Sequence, residues 1–556
     1  MTKEYNNYTF MKTKMIIAAM LLSQMPLAVE AQDTDINSRD LRGNVVYQDD
    51  EVVFRQLDEH TWIGNGHRVY NESLYLVEGN DRAILIDAGT YIPGLDKIVA
   101  KITSKPVTMM LTHAHGDHAG GVGPFPEVYL NAGDMPLVPN SMRNYTGQIK
   151  YLFDGQVIDL GGREIEVVFT PGHTAGSVTF FDKARHYGFS GDAFGSTNLL
   201  VFINLSTEMY TAERIERYMK QNDIRFLFPG HYSGDNLETL QRVTDIKNIC
   251  REILDGERQP TASNGNNGGM DMMVDDKGVR INFSSRRETL MPLAVAAKKQ
   301  YFLPTAGASD DEKDKPMIEV YLPQKPSGCA VVLCPGGAMR WLSWESDVEK
   351  MASFLNKHGI AAIGLRYHLN KAPMPQGMKM PLMVDVTHPE AFPQADANPM
   401  HQASGDSIIQ LAAQDAKAAI RMVREHADEW HISKDKIGFL GFSAGGGVAI
   451  AATMSADNME RPNFLCTNFG PSLMPVTVPE DAPPLLIMTR ADHPNVAAGL
   501  VALFMEWKKA GANAELHMYG DGKGPYELMP QTGETTTEAW SSQMINWLKA
   551  KGFIGE

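Results

Sequence analysis

Cysteine is scarce in this chain of 556 residues: there are four, Cys250, Cys329, Cys334 and Cys466, and no two form a C-x-x-C pair. That excludes a disulfide scaffold and a thiolate metal cluster. Core packing is the expected role, with room for one bridge in an exported protein. Basic residues are outnumbered, 51 Lys and Arg against 67 Asp and Glu, giving a formal net charge of −16. Nucleic acid and anionic membrane are therefore excluded as main partners, because both attract basic surfaces. Beyond residue 31 no apolar run is long enough to cross a bilayer, and neither a repeat nor a low-complexity tract is visible. Hydrophobic residues at 43% and charged residues at 21% are ordinary for a soluble globular protein, so disorder is not expected.

The N-terminus carries more information. Met11-Lys12-Thr13-Lys14 is basic, residues 15–28 are apolar apart from Ser23 and Gln24, and Val29-Glu30-Ala31 places small residues where a signal peptidase reads. This predicts a secretory signal peptide cleaved after Ala31, with residues 1–10 an upstream extension. The mature protein is then expected in the periplasm or outside the cell. No Cys follows the box, so no membrane anchor is expected.

The length requires at least two domains of ~100–250 residues each. From residue 52 to about 283 short strands alternate with helices. Strands are expected over 73–78, 82–87, 107–112, 164–169, 225–228 and 279–283, and helices over 211–221 and 237–254. The Gly/Asn-rich stretch 263–269 reads as a loop. We place one domain over 45–285 and a linker over 286–316, its charged run 310–315 solvated. A second α/β pattern fills 317–556. There, strands are expected over 329–334, 361–365, 436–441, 484–489 and 514–519. Helices are expected over 347–357, 407–429, 497–509 and 538–549, with a Met/Pro-rich insertion over 373–400. Such alternation implies a doubly wound parallel sheet.

The strand at 107–111 ends in Thr112-His113-Ala114-His115-Gly116-Asp117-His118. Three later strands end in His173, Asp192 and His231, the two histidines each directly after Pro-Gly. A single His would read as a satisfied surface residue. Five His and two Asp at successive strand ends read as a metal site. Imidazole and carboxylate suit Zn²⁺, with Fe or Mn also compatible, and three His on one ion leave a position for water.

This set resembles the metallo-β-lactamase superfamily over about residues 50–255. The resemblance implies an αββα sandwich and two metal ions. His113, His115 and His173 would hold the first, Asp117, His118 and His231 the second, and Asp192 would bridge them. Asp87, in Leu85-Ile86-Asp87-Ala88-Gly89, would be the buried Asp that orients the loop. Two ions roughly 3.5–4 Å apart would deprotonate a shared water and stabilise the oxyanion. Asp117 would shuttle the proton. The reaction expected is hydrolysis of an ester, thioester, lactone, amide or phosphodiester. Asp192 excludes the lactamases with a Cys at this position. Gly195 stands where lactonases have a Tyr, and export argues against glutathione or tRNA as substrate.

In the second half, Gly441-Phe442-Ser443-Ala444-Gly445-Gly446 follows a strand and opens a helix, the context that gives G-x-S-x-G its meaning. Cys334-Pro335-Gly336-Gly337-Ala338 suits an oxyanion-hole turn. Residues 317–553 resemble acetyl-xylan and feruloyl-type esterases of the α/β-hydrolase superfamily, which implies an ester of small-molecule or carbohydrate type as partner. Ser443 would be the nucleophile and Asp492 the acid, one residue early for the family. Where the family has its His, this chain has Lys523 or Gly524; His493 and His517 are not obvious replacements. A Ser without a base is a poor nucleophile, and loss of the His can cost about a million-fold. We therefore expect a degenerate domain that binds or presents substrate. The alternatives are a second active serine esterase or a pure interaction module.

Overall fold

The computed structural model describes residues 43–69, 71–263, 269–287, 291–305, 311–371, 395–396, 403–457, 459–491, 496–520, 528, 533 and 535–555. The signal-peptide reading, and all of the 373–400 insertion except 395–396, lie outside the described residues.

An eight-stranded sheet runs in chain order from Asn44–Gln48 to Gln148–Tyr151, antiparallel as far as Ala83–Ile86 and parallel after it. A six-stranded sheet, from Val157–Asp159 to Glu238–Thr239, packs on it face to face. Ile63, Tyr75, Ile84 and Met110 of the first meet Ile165, Val167, Phe180 and Phe189 of the second. Each outer face carries helix: Leu95–Val99 on one, Leu205–Gln221 and Leu240–Leu254 on the other. The result is the expected αββα sandwich. Leu205–Gln221 begins six residues before the expected start. Asn204 caps it by accepting from Thr207 N at 2.8 Å, and Leu205, Ala212, Ile215 and Met219 form its buried stripe.

A small third sheet escaped the sequence reading. Asn198–Val201 pairs in parallel with Val279–Phe283, which continues antiparallel to Met272–Asp276. It lies beside the two long helices, with Leu199, Val201, Val274 and Ile281 in their core.

The second half is an eight-stranded sheet, antiparallel at Lys299–Phe302 and Met317–Tyr321 and parallel from Ala330–Cys334 onward. Helices Ala403–Glu425, Ala444–Ser455 and Ala497–Lys509 cover one face; Met351–Lys357 and Trp540–Ala550 cover the other. This is the doubly wound arrangement expected. The expected helix over 347–357 opens with a π-helical stretch, Glu345–Lys350. Strand Phe464–Asn468 was missed.

The segment between the halves is more structured than a solvated linker. It supplies the strand Lys299–Phe302, and Leu293 and Leu303 are buried. Its charged run lies against the first sheet, where Tyr151 donates to Lys313 O at 3.2 Å. Nearby, the buried Arg366 pairs with Glu319 at 2.9 Å and stacks 3.7 Å over Trp344. All four cysteines are buried and free, so the bridge allowed for by the sequence is not formed. Among the described residues no helix is long and apolar enough to cross a membrane.

Candidate metal centre

Each expected donor sits at the carboxyl end of a strand. His113 and His115 follow Val107–Met110, and Asp117 and His118 lie in the short helix Gly116–Ala119. His173 follows Glu164–Phe169, Asp192 follows Tyr187–Gly191, and His231 follows Phe226–Pro229. The fold brings all seven together. Three overlapping sets, His113/His115/His173, His113/His118/Asp192 and Asp117/His118/His231, each have their donor atoms within 4.8 Å of one another. One Asp192 carboxylate faces both sides, with Oδ1 3.6 Å from His118 Nε2 and Oδ2 3.6 Å from His173 Nε2 and 3.4 Å from His231 Nε2.

The surroundings fix how the rings point. Asp87 is fully buried at a left-handed φ of 63°. It accepts from Thr112 N at 2.7 Å, from Thr112 Oγ1 at 2.7 Å and from His118 Nδ1 at 3.0 Å. Because Thr112 Oγ1 spends its proton on Asp87, it accepts from His113 Nδ1 at 3.1 Å. His173 Nδ1 donates to Leu200 O at 2.8 Å. Three imidazoles, His113, His118 and His173, thus turn Nε2 inward, the nitrogen that presents a lone pair to a cation when the ring is neutral. His115 turns Nδ1 inward instead, 2.9 Å from His173 Nε2.

Electrostatics agree with a cation site. Burial, with His118, His173 and His115 nearby, pushes His113 well below the usual imidazole range. Burial and His115 bring His173 down to about 4. Burial would lower His118, but Asp192 and Asp117 lift it well above its ordinary value. Burial would raise Asp192, yet His231 and His118 hold it well below the carboxylate range. His113 Nε2, His118 Nε2 and Asp192 Oδ1 are buried and find no hydrogen-bond partner among the described residues. An orphaned buried polar atom costs ~1–3 kcal/mol, so three converging on one centre are best explained as ligand atoms. The donor set fits a divalent metal.

Two contributors had no clear signal in the sequence. Asp134 binds Ala114 N at 2.7 Å, Gly176 N at 2.7 Å and Thr174 Oγ1 at 2.9 Å, tying the His115 loop to the His173 loop. Leu200 contributes only a carbonyl, which any residue carries. Asp87, by contrast, was legible, and its removal is testable. Asp87→Ala should weaken metal binding ~10–100-fold, the usual cost of losing a ligand's outer hydrogen bond, as measured by competition with a chromogenic chelator.

In the second half Ser443 has φ 49° and ψ −123° between strand Ile437–Phe442 and helix Ala444–Ser455, the strained turn of a nucleophile elbow. A Cβ on Gly445 would lie 2.0 Å from Cys334 O, so this close approach needs glycine. The Gly336 amide donates to the buried Asp347 carboxylate at 2.8 Å. Asp492, His493, Lys523 and Gly524 lie outside the described residues. His517 pairs with Glu515 at 2.7 Å rather than with Ser443. The sequence reading overlooked a His368–Asp415 couple, 2.7 Å with Asp415 fully buried, which ties the end of strand Ala361–Arg366 to helix Ala403–Glu425.

Comparison with known proteins agrees with this layout. Residues 67–231 match the family model of the metallo-beta-lactamase superfamily, and residues 390–488 match the model named BD-FAE. Acyl-coenzyme A thioesterase MBLAC2 of Bos taurus is 25% identical over 227 residues, covering 33% of this chain and 81% of that protein. Hydroxyacylglutathione hydrolase of Hamiltonella defensa is 26% identical over 194 residues, 34% of this chain and 75% of its own length. The acetylxylan esterase of Xylanibacter ruminicola is 30% identical over 161 residues, 29% of this chain and 26% of that protein. The class is that of metal-dependent hydrolases. This chain carries a metallo-beta-lactamase superfamily domain followed by an esterase-like α/β-hydrolase domain.

Proposed function

We propose that the protein is an exported dinuclear-metal hydrolase that cleaves an ester, thioester, lactone or related bond. The observation that carries this reading is the convergence of seven donors around orphaned imidazole and carboxylate atoms. His113, His115 and His173 would hold one ion, Asp117, His118 and His231 the other, with Asp192 between them; Zn²⁺ suits the set, as do Fe and Mn. Metals bound there supply Lewis acidity that polarises the scissile group and activates water near neutral pH. The protein's own part is placement. Asp87, Thr112 and Leu200 hold the imidazoles in the tautomers that present lone pairs. Asp117, whose side chain is 24% exposed with Oδ2 3.6 Å from His231 Nε2, takes the proton and returns it to the leaving group. A screen of ester, thioester and lactone substrates with and without chelator tests this; turnover that chelation leaves undiminished for every substrate would refute it.

For the second half we propose a degenerate hydrolase domain that binds or presents a small-molecule or carbohydrate ester. Asp347 supports this: its carboxylate already accepts from the Gly336 amide of the turn next to Ser443, an amide that a developing oxyanion would need. Ser443→Ala should then leave metal-dependent turnover within about two-fold. A fluorophosphonate probe should label the protein weakly or not at all, and Lys523→His is the variant that would turn labelling on. The second reading, an active serine esterase, draws on the elbow geometry of Ser443. Strong labelling at Ser443, or ester turnover surviving chelation, would establish it.

A further inference from the structure

Phe202 sets an aromatic ring against two of the imidazoles of the candidate metal site. It stands edge-on to His115 at 5.2 Å and 71°, and to His173 at 5.3 Å and 73°. The cluster is closed on the side of His113 and His118, which are 2% and 0% exposed. It opens on the side of His115, Asp117 and His231, all partly exposed, and Phe202 is itself partly exposed there. Phe202 borders that open side through its contact with His115.

Phe202 is also held more firmly than a loop residue needs to be. It follows strand Asn198–Val201, which is paired with Val279–Phe283. Ile203 N donates to Gly172 O at 3.1 Å, and Arg287 donates to Phe202 O. The small third sheet and the His173 loop therefore fix the backbone that carries the ring. Binding sites are mostly apolar walls with a few placed polar groups, and Phe202 supplies apolar surface beside the polar donors.

We propose that Phe202 is the specificity-determining wall of the metal site, lying along the acyl portion of the substrate and selecting apolar acyl chains. This rests on the hydrolase reading above, and product-like carboxylates can test it without turnover. Calorimetry on the zinc-loaded protein with acetate, butyrate, hexanoate and octanoate should show affinity rising roughly four-fold per methylene over the first few carbons. Phe202→Ala should flatten that slope to under about two-fold per methylene, and Phe202→Leu should keep most of it, since leucine preserves apolar surface at that position. Metal content should be unchanged in both variants. An unchanged slope in Phe202→Ala would overturn the proposal, as would carboxylates that bind without regard to length or not at all. Metal loss in both variants would show that the ring only buttresses His115 and His173. In each of these cases chelator-sensitive turnover by the wild-type protein would leave the hydrolase reading standing.

Discussion

His115→Ala and Asp192→Ala should each lower hydrolytic turnover by roughly a thousand-fold or more, because both remove a donor that no neighbour can replace. His115 is the one imidazole that reaches the centre through Nδ1, so a rotated neighbour cannot substitute for it. Asp192 is the one carboxylate that faces both sides of the cluster. Neither side chain belongs to the apolar cores, and both lie on loops after strands, so the fold should survive. Circular dichroism should be unchanged while steady-state rates collapse. Wild-type turnover in either variant would place the chemistry elsewhere, with Ser443 the first suspect.

Gly230→Ala should be nearly as damaging, although it removes no ligand. A Cβ at residue 230 would lie 2.2 Å from Asp192 Oδ1 and 2.7 Å from His118 Cε1. His118 is pinned by Asp87, so the strain falls on Asp192, which stands between two imidazoles. The carboxylate must leave its place, and metal affinity should fall by about a hundred-fold, the upper end of the cost of disturbing a ligand's support. Gly123→Ala is the matched control, since a Cβ there meets nothing within 4 Å. Chelator competition on the two variants separates crowding at the site from a general cost of losing glycine.

The donor cluster was legible because metal binding would demand particular side chains. Few residues replace an imidazole or a carboxylate as a donor, and the strand-end spacing of His113, His173, Asp192 and His231 survives in the linear sequence. Strands such as Ser73–Glu78, Glu164–Phe169 and Val279–Phe283 were also legible from their apolar patterning and flanking turns. What escaped was set by partners distant in sequence. Asn198–Val201 is four residues long, and its pairing with Val279–Phe283 leaves no local mark. The grip of Leu200 O on His173 uses a backbone carbonyl, which has no residue signature. Lys299–Phe302 looked like linker because its four residues, Lys-Gln-Tyr-Phe, show no apolar–polar alternation, and only pairing with Met317–Tyr321 makes them a strand. The role of Phe202 was hidden for a related reason: one more apolar residue after Leu199-Leu200-Val201 reads as core until the rings it faces are known.

If the seven donors act as one dinuclear site, metal stoichiometry shows it most directly. After gentle purification and reconstitution with Zn²⁺, native mass spectrometry of the full chain should find two ions per chain. A stoichiometry that stays near zero after reconstitution would contradict the account.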